Sequence, residues 1–160
     1  MWQSWIQPIA GLIFGVAAVG LVLAAPCQAN GAGALSSKGH SVYVPVYSHV
    51  FTGDRAQPVY LAVTISIRNT DPDHAITITR ADYYDSEGRL IKKYLTQPTT
   101  LKPLSSTGYV IKESDKVGGS GANLIVDWHA DRVVNAPLIE SVMISTRSAL
   151  GISFTSRGLV

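Results

Sequence analysis

Residues 59–68 read VYLAVTISIR and determine the fold class of the chain. Apolar side chains occupy every second position of this stretch, and Thr64, Ser66 and Arg68 stand between or after them. A period of two, with many β-branched residues, is typical of a half-buried β-strand. We therefore expect a central strand here. Its predicted core side chains are Leu61, Val63 and Ile65.

The same pattern recurs in both directions along the chain, between turn signals rich in Gly, Pro, Asn and Asp. Pro45 cannot donate to a sheet ladder, so the run around it is expected at a sheet edge or at a bulge. The other predicted strands are residues 41–47, 75–84, 89–95, 107–112, 123–130, 139–145 and 151–156. About seven to nine short strands predict an all-β fold, an immunoglobulin-like antiparallel β-sandwich. Its further predicted core residues are Ile76, Ile78, Val126, Trp128, Val142 and Phe154.

One segment also fits a helix. Residues 138–150 carry an apolar stripe at helical spacing, with Asn135 as a candidate cap and Pro137 in the first turn. We favour a strand, because Val142 and Ile144 alternate and β-branched residues are frequent.

The first 29 residues differ in composition from the rest. No Lys, Arg, Asp or Glu precedes Asn30, and residues 9–25 are apolar. Small residues before Ala29 predict a signal peptide over residues 1–29, a hydrophobic helix cleaved after Ala29. The alternative is an uncleaved inner-membrane anchor formed by residues 9–25. The small and polar residues 30–40 are expected to be a flexible tether, followed by one sandwich domain over residues 41–160.

Charge and cysteine content exclude several function classes. The single cysteine, Cys27, lies in the leader, so a cleaved chain has no thiol chemistry and no cysteine-bound zinc. Lipid attachment at Cys27 is disfavoured because Pro26 precedes it. The net charge is +2 without a long basic run, which argues against nucleic-acid binding. We expect no cofactor, and membrane contact only through an uncleaved leader.

A glycine-rich loop is the first candidate site. It consists of Gly118, Gly119, Ser120 and Gly121 and leads to Asn123. Its backbone amides could form a nest for a phosphate or carboxylate. A serine nucleophile elbow is the other functional interpretation, but Ala122 replaces the last glycine of that motif. A structural loop that lets strands cross closely is the non-functional alternative.

The strand after this loop supplies the second candidate. Asp127 and His129 alternate along it and so share one face. Imidazole and carboxylate can hold a metal or exchange protons, and His49 could join them only if the fold brings it near. Alternation on a half-exposed sheet predicts the same polar face without function. We predict no metal site, with these three residues as weak candidates.

Adjacent tyrosines supply a third candidate. One of Tyr83 and Tyr84 must point away from the core if both lie on a strand. The outward ring, assigned to Tyr84, is the expected surface anchor for a partner.

Several separated motifs carry a family resemblance. They are VPVYSH at 44–49, RNTD at 68–71, YYD at 83–85 with Gly88, GGSGAN at 118–123 and GISFTSRG at 151–158. Over about residues 40–160 the chain resembles a bacterial envelope family known only as a domain of unknown function, family 3124. The resemblance implies export and a small β-rich domain, and it implies no activity, cofactor or partner.

These observations together predict an exported, noncatalytic domain of the bacterial periplasm or the secreted fraction. Its expected role is binding or structural support in the cell envelope, with an envelope protein or a small molecule as partner. The alternative is a small-ligand or metal-binding protein that uses the glycine loop and the face of Asp127 and His129. A third hypothesis is a serine hydrolase, with Ser120 and either His129 or His49.

Overall fold

The computed structural model describes residues 36–145 and 151–160, and within them it is all-β and antiparallel. The predicted leader, its cleavage after Ala29 and residues 30–35 of the tether lie outside the described residues. Among those described, no helix has the length and apolar character to cross a membrane. The strands are β1 (Ser36–Pro45), β2 (His49–Thr52), β3 (Gln57–Tyr60), β4 (Ala62–Arg68), β5 (Ile76–Tyr84), β6 (Leu90–Lys93), β7 (Thr99–Leu101), β8 (Ser106–Ile111), β9 (Asn123–Asn135), β10 (Leu138–Ser145) and β11 (Ile152–Arg157).

The strands form three sheets. The five-stranded sheet has the order β1-β9-β5-β6, and β7 also pairs with β5. The four-stranded sheet has the order β11-β10-β4-β8, and β2 pairs with β3 in a separate hairpin. β4 is therefore central and β1, which contains Pro45, lies at an edge, as predicted. Strands β2, β3 and β7 raise the number above the predicted seven to nine.

One hydrophobic cluster joins the two larger sheets. The longer strands of both sheets contribute alternate side chains to it, because successive residues of a strand point to opposite faces. The four-stranded sheet supplies Val63 and Ile65, and the five-stranded sheet supplies Ile78 and Trp128. The confirmed core predictions are Leu61, Val63, Ile65, Ile76, Ile78, Val126 and Trp128, all of which are buried.

The predicted core face of β10 was wrong. Val142 is half-buried, whereas Met143 and Ser141 are fully buried. Ser141 can face the core because its hydroxyl donates a hydrogen bond to the Pro45 carbonyl at 2.6 Å. Phe154 is also only half-buried, at the margin of the cluster. The strand prediction itself is confirmed over the described part of residues 138–150, and residues 146–150 lie outside it.

Three predicted elements differ from the structure, two in where they begin or end and one in the sheet to which it belongs. The stretch at 59–68 is two strands, because Leu61 separates β3 from β4 and donates its N–H to the Ser48 carbonyl at 3.0 Å. Residues 36–40 belong to β1 and pair with β9, so they are strand and not tether. The strand predicted over 75–84 lies in the other sheet from β4, so the turn before it crosses between sheets.

A polar cluster fixes this crossover. The Asn69 side-chain amide donates to the carbonyls of His74, Leu101 and Lys102 at 2.8, 3.3 and 3.0 Å. The Asp71 carboxylate accepts N–H bonds from Asn135, and also from Asp73 and His74. The Asn135 bond is the largest of the effects that lower the pKa of Asp71 to about 2. The RNTD motif therefore has a structural role at this turn.

Candidate functional site

The β8–β9 loop, which contains the predicted glycine site, is bound to two neighbouring turns. The Ser48 N–H and hydroxyl both donate to the Gly119 carbonyl, at 3.0 and 3.1 Å. The Ser86 N–H and hydroxyl both donate to the Gly118 carbonyl, at 2.9 and 3.0 Å. The Gly121 amide donates to the Ser86 hydroxyl at 2.9 Å. At least one amide of the predicted anion nest is thus already occupied within the protein.

Two of the glycines are required by space and backbone angle. A Cβ on Gly118 would collide with the Tyr83 hydroxyl beneath it, and Gly119 has a φ of +81°. Burial raises the pKa of Tyr83, and the nearby Ser48 hydroxyl opposes that rise. These contacts support the interpretation of a close-packed structural loop.

Ser120 does not have the surroundings of a nucleophile elbow. It is exposed, and the chain continues from the loop into strand β9 at Asn123, where an elbow requires a helix. Within the described residues no hydrogen bond joins Ser120 to His129 or His49. The hydrolase hypothesis therefore receives no geometric support from the loop.

The other predicted site residues share one surface. Asn123, Asp127 and His129 alternate along β9 with its buried residues, so they project from the outer face of the five-stranded sheet. Tyr84 lies directly opposite Asn123 on β5. Tyr84 is half-buried while Tyr83 is fully buried, which confirms that the two rings point to opposite faces.

Asp127 is engaged by a neighbouring cation. Its Oδ2 lies 2.7 Å from Nε of Arg80, and its Oδ1 accepts a hydrogen bond from the same guanidinium at 3.0 Å. Partial burial acts to raise the pKa of Asp127, but hydrogen bonds from Arg80 and Ser41 outweigh it, and the pKa is lowered. A metal ion would have to displace Arg80 to reach this carboxylate.

The histidines are held on different elements. His129 is exposed on β9, whereas His49 lies on the β2–β3 hairpin with its ring centroid 4.9 Å from that of Phe51. His74 is bound to Asp71, with Nδ1 3.1 Å from Oδ1. Residues 36–145 and 151–160 contain no group of three or more His, Cys, Asp and Glu residues that could hold a metal.

An apolar patch on the outer face was missed by sequence reasoning. Tyr43 is 43% exposed and lies opposite Ile125 on β9 and opposite Leu159 beyond β11. Leu90 is 47% exposed and lies opposite Tyr84, beyond a register shift between Tyr83 and Tyr84 that interrupts the regular alternation from Lys92 to Leu90. Directly paired residues project to the same side of a sheet. We call these residues the outer patch: Tyr43, Tyr84, Leu90, Ile125 and Leu159.

Comparisons with known proteins identify the family. No curated protein matches the chain. A solved structure described as "Crystal Structure of Thermotoga maritima 1070" is similar with a TM-score of 0.45 and 11% identity, covering 74% of this chain and 91% of that one. The model of the family described as "Protein of unknown function (DUF3124)" matches residues 39–160. The chain therefore belongs to the DUF3124 family.

Proposed function

We propose that this protein is an exported, noncatalytic binding domain of the bacterial cell envelope, built as an immunoglobulin-like sandwich. The pairing of a five-stranded and a four-stranded antiparallel sheet around one core supports the architecture. The uncharged apolar leader supports export.

The observation that carries the binding role is the outer patch. Tyr43 and Tyr84 stand on different strands of one sheet face, with apolar side chains directly opposite them. Tyrosine rings supply large contact area with few rotatable bonds and are enriched at protein interfaces. The Arg80 and Asp127 ion pair adds a polar element beside them. A protein of the envelope is the partner that such a face fits best.

Site-specific photo-crosslinking in living cells tests this role. A benzophenone amino acid replaces Tyr84 or Tyr43 in the full-length chain, and replaces Thr64 as the matched control. Thr64 is exposed on β4, which belongs to the other sheet. We expect the same discrete protein adduct from Tyr84 and Tyr43 and none from Thr64. Equal adducts from all three positions, or none from either tyrosine, would refute docking on this face.

Export is tested separately by cell fractionation and mass measurement. Cleavage after Ala29 would give a chain beginning at Asn30 in the periplasm or the medium. A full-length chain in the inner membrane would support the anchor formed by residues 9–25 instead. A full-length chain in the cytosol would contradict export.

A second candidate function is small-ligand or metal binding at the glycine loop and outer face. It is favoured by one observation: Tyr84, Asn123, Asp127 and His129 all lie on that face. Thermal-shift measurements with divalent metals, phosphate and carboxylates test it. A rise in Tm that His129→Ala abolishes would support it, and no rise would reject it. An activity-based phosphonate that fails to label Ser120 would reject the hydrolase hypothesis.

A further inference from the structure

A groove lies between the outermost strands of the two main sheets. β6 and β8 are each the last strand in the order of their sheet, and residues of both line the groove. The groove has a volume of about 300 Å³, at the lower limit of the range for small-molecule sites. It is lined by Lys92, Tyr94, Val110, Ile111, Lys112, Ser114 and Asp115.

Strand register directs Lys92 into this groove. Lys92 lies opposite Tyr83, which faces the core, whereas Lys93 lies opposite Asp82 on the outer face. Lys112 reaches the groove from the other side, directly after β8. Neither Lys92 nor Lys112 forms an ion pair within the part of the chain that the structure describes. Two ammonium groups with no ion-pair partner among the described residues thus line one cavity, together with the carboxylate of Asp115.

The groove also has an apolar side. The Tyr94 ring packs against Tyr109 with centroids 4.9 Å apart, and its hydroxyl donates to the Val110 carbonyl at 3.3 Å. The Lys92 ammonium lies 4.4 Å from the Tyr94 ring centroid. The phenol of Tyr94 is neutral at pH 7 and does not repel an anion, and burial raises its pKa further, to about 12.

We propose that this groove binds a small anion attached to an apolar ring, namely an aryl phosphate or an aryl carboxylate. Lys92 and Lys112 hold the anionic group, and Ser114 offers a hydroxyl donor. Tyr94 and Val110 contact the ring. Asp115 is the acidic residue of the lining, and its Oδ1 accepts the Val117 N–H at 3.0 Å. The site is separate from the outer patch, so either proposal can fail without the other.

Titration calorimetry with phenyl phosphate tests the site, with inorganic phosphate, benzoate and phenol as comparison ligands. We expect phenyl phosphate to bind more tightly than inorganic phosphate, and phenol not to bind. Lys92→Met and Lys112→Met keep the apolar stem and remove the charge, and each should weaken binding by about fivefold or more. Lys102→Met, at an exposed lysine outside the groove, is the matched control and should bind as the unaltered chain does.

Asp115→Asn should change the affinity for phenyl phosphate in the opposite direction to the two lysine variants. Removing the negative charge should tighten phenyl phosphate binding by about twofold or more, while the amide oxygen still accepts the Val117 N–H. If benzoate binds more tightly than phenyl phosphate, the natural ligand is assigned as a carboxylate. If phenyl phosphate binds more tightly, the ligand is assigned as a phosphate. Absence of binding by both, or equal affinity in Lys92→Met, Lys112→Met and Lys102→Met, would overturn the proposal.

Discussion

Arg80 and Asp127 face each other across β5 and β9, with Nε 2.7 Å from Oδ2. The pair lies on the outer face of the five-stranded sheet, in the direction in which His129 also projects. The spacing of residues in the sequence made Asp127 a candidate metal ligand. In the structure its carboxylate is instead bound to Arg80 on the adjacent strand. The ion pair links β5 to β9 beside a register shift between Ile78 and Arg80, and we expect it to add a small stabilisation there.

Replacing Asp127 tests this contribution. Asp127→Asn should lower the free energy of unfolding by about 1 kcal/mol or less, because both side chains are about one-third exposed and solvent screens the pair. Asp131→Asn, at an exposed carboxylate of the same strand, should change it less. Urea unfolding at pH 7 in low and high salt measures both. Equal losses in the two variants, unaffected by salt, would contradict a stabilising ion pair.

Gly118 provides a prediction about packing. Gly118→Ala should cost about 1 to 3 kcal/mol, because the new Cβ collides with the buried Tyr83 hydroxyl. Tyr83→Phe in the same chain should restore part of the loss by removing that oxygen. Gly53→Ala is the control, since its Cβ would meet open space and only its φ of +65° opposes the change. Thermal unfolding of Gly118→Ala, Tyr83→Phe, their double variant and Gly53→Ala measures the coupling, and purely additive losses in the double variant would contradict the collision.

The two faces of β10 give opposite expectations for adjacent residues. Met143→Ala should cost about 2 to 5 kcal/mol because Met143 is fully buried. Val142→Ala should cost clearly less, because Val142 is half-buried on the other side of the strand. Chemical denaturation compares the two directly. A larger loss at Val142 would mean that the face assignment is inverted.

Acid sensitivity should follow from two turn carboxylates. The pKa of Asp71 is lowered to about 2, chiefly by the Asn135 N–H, and that of Asp85 is lowered, chiefly by the Arg89 side chain. Unfolded Asp has a pKa of about 3.9, so the folded state gains stability above that pH and loses it as pH falls toward about 2. Unfolding free energies measured between pH 6 and pH 2 should therefore decline below about pH 4.

Asp71→Asn isolates the larger of these effects. The variant should be less stable at pH 6 and should show a shallower decline below about pH 4, because it has one fewer group to protonate. Asp73→Asn, at an exposed residue of the same turn, is the control and should retain the decline. An unchanged slope in Asp71→Asn would show that other groups govern the acid transition.

The alternation of apolar and polar residues alone was sufficient to predict much of the fold. Ile65 and Val126 follow a clean period of two, and both strands and their buried faces were predicted correctly. β10 carries apolar residues on both faces, so alternation does not show which face is buried. The buried face contains Ser141, whose hydroxyl donates to the carbonyl of the distant Pro45, a contact that the sequence around β10 does not reveal. A polar residue can face the core when a distant carbonyl accepts its hydrogen.

The candidate site was predictable in part for a similar reason. The outward position of Tyr84 follows from its adjacency to Tyr83. The partner of Asp127 does not, because a register shift between Ile78 and Arg80 determines which β5 side chain stands beside it. Tyr43 and Leu159 become neighbours only through a bridge between distant segments.

The Asn69 crossover has a consequence for the order of folding. Asn69 and Asp71 bind carbonyl and amide groups of residues 101, 102 and 135, which are far along the chain. These bonds complete only after β7 and β9 have docked, so we expect them to form after the rate-limiting step. Asn69→Ala should then accelerate unfolding strongly and slow refolding little, as stopped-flow measurements would show. The hydrogen bonds of this turn would then slow unfolding and so prolong the lifetime of the folded domain.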